Sequence, residues 1–275
     1  TELRQEHFLK ALKRGQLGDR IDSQFTQTER EQLALQSAAV CLALTLLPAL
    51  EDVEVVSIEC YERLPLGRQN VLVNEDRRTT NQWTANYYEE LLVATLAGYA
   101  ADQVKAEQEQ ASTSASSSDG SGSRPSGSGS GLQSISTIHQ SHLHMARHVA
   151  SQLVMVLGAT GDSDLPACPI ADLNEEPSIY GGGGLWSSSP MYKIPYDRFS
   201  SETLLKAEQY RQKLLSESVA KAKKLVAENQ GALHAIAEAL LREETLEGGR
   251  VRDIIRRNSE HHFGRSSEQK HAHFL

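Results

Sequence analysis

The sequence has no stretch of the form G-x-x-x-x-G-K-S/T, the loop that cradles nucleotide phosphates in P-loop ATPases. These 275 residues therefore do not bind ATP through such a loop. Positive charge is also scarce, because 28 Lys and Arg stand against 36 Asp and Glu and leave a net charge of −8. A phosphate backbone requires a basic face, so we expect no nucleic-acid partner.

Cysteine is scarce as well. Cys41, Cys60 and Cys168 are odd in number and lack the spacing of metal ligands. This pattern indicates a reducing compartment in which the thiols are ordinary core or surface groups. A charged and then apolar targeting segment is not found after Thr1, so we expect that processing or truncation has removed whatever came first.

One stretch of the chain is apolar enough to raise the question of a membrane span. It runs from Leu33 to Leu47, and its polar interruptions are Gln36, Ser37 and Thr45. A spanning helix needs roughly 20 residues, which is more than this stretch provides before Pro48. A helix that is apolar all round is also typical of the centre of a globular domain. We therefore predict a buried helix.

Two segments have the composition of flexible connections. Residues 111–131 are almost wholly Ser, Gly and Ala, and such a run has too little apolar surface to offset the entropy lost on ordering. Gly181 to Gly184 lacks the Lys and the flanking strand and helix of a phosphate loop. We predict a disordered insertion at the first segment and a connector at the second.

The C-terminal region has the strongest helical periodicity of the chain. Ser200 is a suitable N-cap for a long helix, and Gly231 is expected to break that helix before a second one from Ala232 to Leu241. Apolar residues recur at three- and four-residue intervals. They are Leu204, Leu205, Ala207, Tyr210, Leu214, Leu215, Val219, Ala222, Leu225 and Val226.

Histidine is concentrated in one segment. On a helix, at about 100° per residue, His139 and His142 lie close together, whereas His144 and His148 form a second pair that faces nearly the opposite way. The four side chains therefore do not form one metal site, and solvated or hydrogen-bonded roles are favoured. The same interpretation applies to the polar tail, which contains His261, His262, His271 and His273. The helix that carries the first four histidines is expected to pack into the core through its apolar positions, which are Leu143, Ala146, Ala150, Leu153, Val154 and Leu157.

The apolar helix contains Gln36-Ser37-Ala38-Ala39-Val40 and ends in L-L-P, a later helix reads A-G-Y-A-A-D, and the C-terminal helices begin with F-S-S-E-T and end in E-T-L. Together these motifs resemble the C-terminal protease module of the FtsH-type membrane-anchored AAA proteases. The resemblance covers most of the chain. Its ranges are Arg30–Leu35, Leu42–Pro48, Val53–Ile58, Arg63–Asn70, Leu91–Asp102 and Phe199–Arg250. Tyr99 and Asp102 depart from the family's pattern in the fifth range.

The resemblance also indicates which residues replace the family's catalytic groups. In H-E-x-x-H two imidazoles hold Zn²⁺ and the Glu is the general base. Gln36 and Val40 stand at the two ligand positions, Ser37 at the base position, and His142 at the position of a third ligand, an Asp. The resemblance thus implies a proteolytically inactive, FtsHi-like pseudoprotease, which is not an enzyme and has no catalytic residue, metal or cofactor in this segment. ATP and Mg²⁺ are expected only in an AAA module absent from it.

The fold expected from the resemblance is mainly α, an FtsH-type zinc-peptidase-like helical domain with a small β element and a long C-terminal helical hairpin. A short strand pair is expected between Val53 and Val73, followed by a helix from about Tyr87 to Gln108. The organisation has five parts. These are the end of an AAA lid and a linker (1–29), the first part of the core (30–110), the insertion (111–131), the second part of the core (132–258) and a polar tail (259–275).

The function implied by the resemblance is structural. The chain is expected to be a non-proteolytic subunit of a hexameric, hetero-oligomeric FtsH-like AAA motor, held at the stromal side of the chloroplast inner envelope by its missing N-terminal part. Partners would be other FtsH-like subunits, translocating proteins, a giant plastid-encoded AAA protein and a malate dehydrogenase. One alternative is an inactive partner in a thylakoid or mitochondrial FtsH ring. Another is a metalloenzyme with a metal site rebuilt around His142.

Overall fold

The computed structural model describes Ala11 and residues 26–59, 70–73, 84–116, 138–158, 194, 196 and 199–258. Its fold is mainly α with a small sheet, as predicted. The elements in chain order are helix α1 (Gln27–Leu46), strands β1 (Val53–Ser57) and β2 (Asn70–Val73), helices α2 (Ala85–Ser116) and α3 (Ile138–Ser151), a π-helix (Gln152–Val156), helices α4 (Ser201–Glu228) and α5 (Gln230–Glu243), strand β3 (Thr245–Glu247) and helix α6 (Gly248–Asn258).

Helix α1 is the centre of the core. It begins with a capping box, in which Thr26 accepts a hydrogen bond from the Glu29 amide and the Glu29 carboxylate accepts one from the Thr26 amide. Every residue from Leu33 to Thr45 is buried, and the helix packs mainly against α2 and α5. The prediction of a buried helix is confirmed. Within the described ranges, no helix combines the length and the apolar character needed to cross a membrane.

The sheet has three antiparallel strands in the order β2-β1-β3. The predicted strand pair is present, and in the central strand Val56 pairs with Val71 of β2 on one side and with Leu246 of β3 on the other. Strand β3 was not predicted, because three residues between two helices are too short to show a strand pattern. It brings Glu244, the residue before it, within an ion-pair distance of 2.6 Å from Arg30 on α1.

Helix α2 is longer than its predicted core from Tyr87 to Gln108. It runs to Ser116, so the prediction of a disordered insertion at 111–131 is wrong for the first six residues, which continue the helix. The remainder of that segment lies outside the described residues. So do the glycine run at 181–184, the tail at 259–275 and, apart from Ala11, the first 25 residues.

The C-terminal helices begin where the sequence predicts and break at a different residue. The Ser200 hydroxyl accepts a 3.2 Å hydrogen bond from the Thr203 amide, which confirms the N-cap. The break falls at Asn229, with φ of −123°, whereas Gly231 lies inside α5. Asn229 stabilises the break itself, because its side-chain amide donates to the Leu225 carbonyl at 2.8 Å. Helix α4 packs mainly on α2, and α5 packs mainly on α1.

Helix α3 continues into a π-helix, which changes the periodicity expected from the sequence. The Leu157 amide donates to the Gln152 carbonyl at 3.1 Å, an i to i+5 bond that adds a residue to the turn. Leu157 is consequently 39% exposed. Leu143 is also 39% exposed, so the expectation that both leucines pack into the core is wrong. The other apolar residues predicted for this face are buried, namely Ala146, Ala150, Leu153 and Val154.

Candidate functional site

The candidate site is the middle of α1, where the sequence places the altered peptidase motif. Gln36, Ser37 and Val40 are all fully buried. Gln36 and Val40 lie four residues apart and therefore on one face of the helix. The helix is apolar on nearly all sides, so the fold carries these side chains into the core whatever their chemistry.

Gln36 makes a buried polar contact with α2. Its Nε2 donates to Oδ2 of Asp102 at 2.7 Å, and Nε2 of Gln32, one turn earlier on α1, donates to the same oxygen at 2.9 Å. Asp102 is only 7% exposed. Burying a carboxylate is costly unless it accepts hydrogen bonds, and the two amides supply them. Oε1 of Gln36 is buried and has no hydrogen-bond partner among the described atoms.

His142 contacts α2 at a different level. The side chain is 4% exposed, and its Nδ1 lies 3.3 Å from the Thr95 carbonyl oxygen. A carbonyl oxygen only accepts, so this geometry assigns the proton to Nδ1. Thr95 and Asp102 are seven residues apart on α2, which is about 10 Å along a helix axis. The structure therefore brings Gln36 to Asp102 and His142 to Thr95, two turns apart on one helix face.

The chemical capacity of these positions follows from their side chains. Val40 is aliphatic and offers no metal ligand, and the Gln36 amide donates its protons to a carboxylate. The Ser37 hydroxyl is buried and has no hydrogen-bond partner among the described atoms, so no described group activates it as a nucleophile. In the part of the chain that the structure describes, no group of three or more His, Cys, Asp and Glu could hold a metal ion. The matching of these four positions to the peptidase motif stays a prediction.

The second histidine pair of α3 lies on the outer side of that helix. His144 is exposed and His148 is half-buried, four residues further on. Burial lowers the pKa of His148, and the charge of His144 lowers it further. Both effects favour the neutral imidazole of His148 at neutral pH. His139 lies in the first turn of α3, and the tail histidines lie outside the described residues.

Asp102 is the site residue that the sequence interpretation missed. The sequence comparison treated it only as a departure from the family's helix pattern, and periodicity alone placed it on a helix. The signal that could have identified it is that two residues depart from the family's pattern together, the amide Gln36 and the carboxylate Asp102. The structure shows that these two residues are joined directly.

Comparison with known proteins relates this arrangement to a protease. No protein-family model matches the sequence. The chain is 23% identical over 265 residues to the ATP-dependent zinc metalloprotease FtsH 3 of Synechocystis sp.. The match covers 94% of this chain. It supports a relationship to the FtsH-type protease module. The chain spans 36% of the length of that relative.

The relationship to FtsH 3 corrects one expectation. The sequence analysis concluded from four replaced positions that this chain is not an enzyme, and the comparison contradicts that conclusion, because the relative is a zinc metalloprotease. The similarity extends over 265 residues of this chain.

Proposed function

We propose that this chain is an assembly subunit of an FtsH-like AAA complex that drives protein import at the chloroplast inner envelope. In this proposal the subunit joins other FtsH-like subunits in a hexameric hetero-oligomeric ring. A giant plastid-encoded AAA protein, a malate dehydrogenase and translocating proteins are its further partners. ATP and Mg²⁺ are bound by an AAA module outside these 275 residues, and this segment itself binds no cofactor.

Two findings support a place in such a complex. The relative with which the chain aligns is named as an ATP-dependent protease, whereas this chain has no P-loop of its own. The chain aligns with about a third of that relative, as expected of one module of a larger machine. An ATP-dependent activity would therefore require this module to work with an ATPase module.

The observation that carries the assembly role is the outer face of α4. This 28-residue helix buries only Ala207, Ser218, Ala222 and Val226, which are mostly small residues that let it pack closely on α2. Leu205 lies near the beginning of the helix and is 60% exposed. A helix of this length extends about 42 Å. It offers neighbouring subunits a long surface that its own core does not need.

The experiment compares tagged variants in chloroplast extracts. Leu205→Glu places a charge on the exposed face without disturbing the core, and we expect it to reduce the recovery of FtsH-like subunits by about tenfold, because burying an unpaired charge in an interface is costly. Gln108→Glu is the control, since Gln108 is an exposed residue of α2, away from the outer face of α4, and the new charge is the same. It should leave recovery unchanged.

Two results would contradict the proposal. The assembly role is wrong if the wild-type protein, joined to its AAA module, migrates as a monomer and recovers no FtsH-like chain. The inner-envelope location is tested separately by membrane fractionation. Recovery of the protein with thylakoid or mitochondrial membranes would replace that location and leave the assembly role intact.

A further inference from the structure

A small cavity lies between the π-helix and the first turns of α4, away from Gln36 and Asp102. Its volume is about 170 Å³. Four of its eight lining residues are apolar, namely Val154, Met155, Leu204 and Ala207. Val154, Met155 and Ala207 belong, with Ile194, to a second hydrophobic cluster, distinct from the main core. An apolar group bound in the cavity would therefore be shielded from water by this second cluster and would not contact the main core.

One side of this cavity carries a buried guanidinium. The side chain of Arg211 is 13% exposed, its Nη1 donates to the Ser151 hydroxyl at 3.0 Å, and its Nη2 pairs with Glu208. Its Nε is buried and has no acceptor among the described atoms. A buried donor without an acceptor is costly, so the guanidinium beside the cavity is not fully satisfied by Ser151 and Glu208.

The charge balance at the cavity favours an anion. Glu208 is shared between two guanidinium groups, since Nη2 of Arg147 lies 3.9 Å from its other carboxylate oxygen. Burial lowers the pKa of Arg211 and the charge of Arg147 lowers it further, and the Tyr196 hydroxyl in the cavity wall opposes these two effects in part by its hydrogen bond to Arg211. A second negative group near Arg211 would offset both effects.

The π-helix is an independent indication that this cavity is a functional site. Such helices are rare and occur frequently at functional sites. This one contributes Val154 and Met155 to the cavity wall, and Ser151, the partner of Arg211, is the residue before it. The irregular turn therefore forms the part of the wall that faces Arg211.

We propose that this cavity binds a small carboxylate that carries a short apolar chain. The carboxylate pairs with the guanidinium of Arg211, and the chain lies against Val154, Met155 and Leu204. A volume of about 170 Å³ corresponds to about six groups of water size. The ligand therefore resembles 3-methylbutanoate, whether as a free acid or as the C-terminal end of a peptide.

Calorimetric titration of the full chain tests this proposal. The probes are 3-methylbutanoate, its neutral amide 3-methylbutanamide, and acetate, which lacks the apolar chain. We expect saturable binding of 3-methylbutanoate, with the amide and acetate at least about tenfold weaker, because each lacks one half of the recognised chemistry. N-acetyl-leucine tests the peptide source, since its carboxylate follows an amide as at a chain end.

Four variants locate the binding. Arg211→Gln should abolish it, and Glu208→Gln should strengthen it several-fold, because Arg211 then loses a competing carboxylate. Ala207→Leu fills the cavity and should abolish binding while Arg211 remains. Arg257→Gln removes an exposed guanidinium of α6 and is the control that should change nothing.

Thermal unfolding of each variant separates loss of the site from loss of the fold. Ala207→Leu and Glu208→Gln change the site in opposite directions, so the proposal remains testable even if Arg211→Gln unfolds the chain. Equal binding of the carboxylate and the amide would overturn the proposal. So would binding of neither, or binding that Ala207→Leu and Glu208→Gln leave unchanged in chains that remain folded.

Discussion

The side-chain amide of Gln36 donates a 2.7 Å hydrogen bond to Asp102 and thereby joins α1 to α2. Gln36 is fully buried and Asp102 nearly so. At this position the family resemblance expects an imidazole that holds a metal ion. The contact shows that an amide and a carboxylate can link the helices through a hydrogen bond.

Replacing Gln36 with Leu should destabilise the protein by about 1–3 kcal/mol, because the Asp102 carboxylate loses a buried donor and keeps its charge. Denaturant unfolding followed by circular dichroism measures the change. The double variant Gln36→Leu/Asp102→Leu should recover part of the loss, since an apolar pair leaves no carboxylate to solvate. A single variant as stable as the wild type would show that the contact contributes nothing.

Gly248 is required by its backbone environment, and Gly249 is not. A Cβ added at Gly248 would lie 1.7 Å from the Val53 carbonyl oxygen, whereas nothing lies within 4 Å of one added at Gly249. Gly248→Ala should therefore cost about 3 kcal/mol or more, because β1 and the start of α6 must separate. Gly249→Ala should be neutral or stabilising by up to about 1 kcal/mol, since Ala favours a helix. Thermal unfolding of the two variants decides, and equal melting temperatures would contradict this account.

Leu240→Glu and Leu205→Glu distinguish the core from the outer surface. Leu240 is fully buried, so a charge there should cost about 4 kcal/mol or more and unfold the chain. Leu205 is 60% exposed, and its substitution should change stability by less than about 0.5 kcal/mol. Near-ultraviolet circular dichroism reports the packing of both. If Leu240→Glu kept a native spectrum, the assignment of α5 to the core would be wrong.

Sequence reasoning predicted the parts of this fold that periodicity controls. The burial of Leu33 to Thr45 and the N-cap at Ser200 follow from local patterns, and both are confirmed. Strand β3 and the contact between Gln36 and Asp102 depend on residues that are distant in sequence, and a pattern along one helix does not reveal its partner. The break between the last two long helices was predicted at Gly231, because glycine commonly ends a helix. It lies at Asn229, whose side chain caps the preceding helix.

The candidate site was predicted less completely than the fold. The sequence placed Gln36, Ser37 and Val40 on one helix, and the structure confirms that they lie together in α1. Whether a site is catalytic depends on which groups converge in space. His142 was assigned by counting along a motif, which does not reveal what its side chain contacts. Its contact with Thr95 results from the packing of α3 on α2.

Cys41 should be chemically silent in the folded protein. It is fully buried, and burial raises the pKa of its thiol, so the reactive thiolate is suppressed. In a Cys60→Ser/Cys168→Ser background, we expect no reaction of Cys41 with a disulfide reagent at about pH 8 until denaturant is added. Ser216→Cys in that background is the positive control, because Ser216 is exposed on α4 and should react at once. Rapid labelling of native Cys41 would contradict its place in the core.

The stability of the protein should fall in mild acid, and His148 should cause part of the fall. Burial lowers its pKa in the folded state, so the unfolded chain takes up the proton first, and stability is lost as the pH falls through about 6.5, the ordinary value of histidine. His148→Gln cannot titrate and should therefore reduce the difference in unfolding free energy between about pH 7.5 and about pH 5.5. His234→Gln, on the exposed side of α5, is the matched control and should keep the wild-type dependence. Denaturant unfolding at both pH values measures the effect. If the unfolding free energy changed by the same amount between the two pH values in the wild-type and His148→Gln chains, protonation of His148 would not oppose folding.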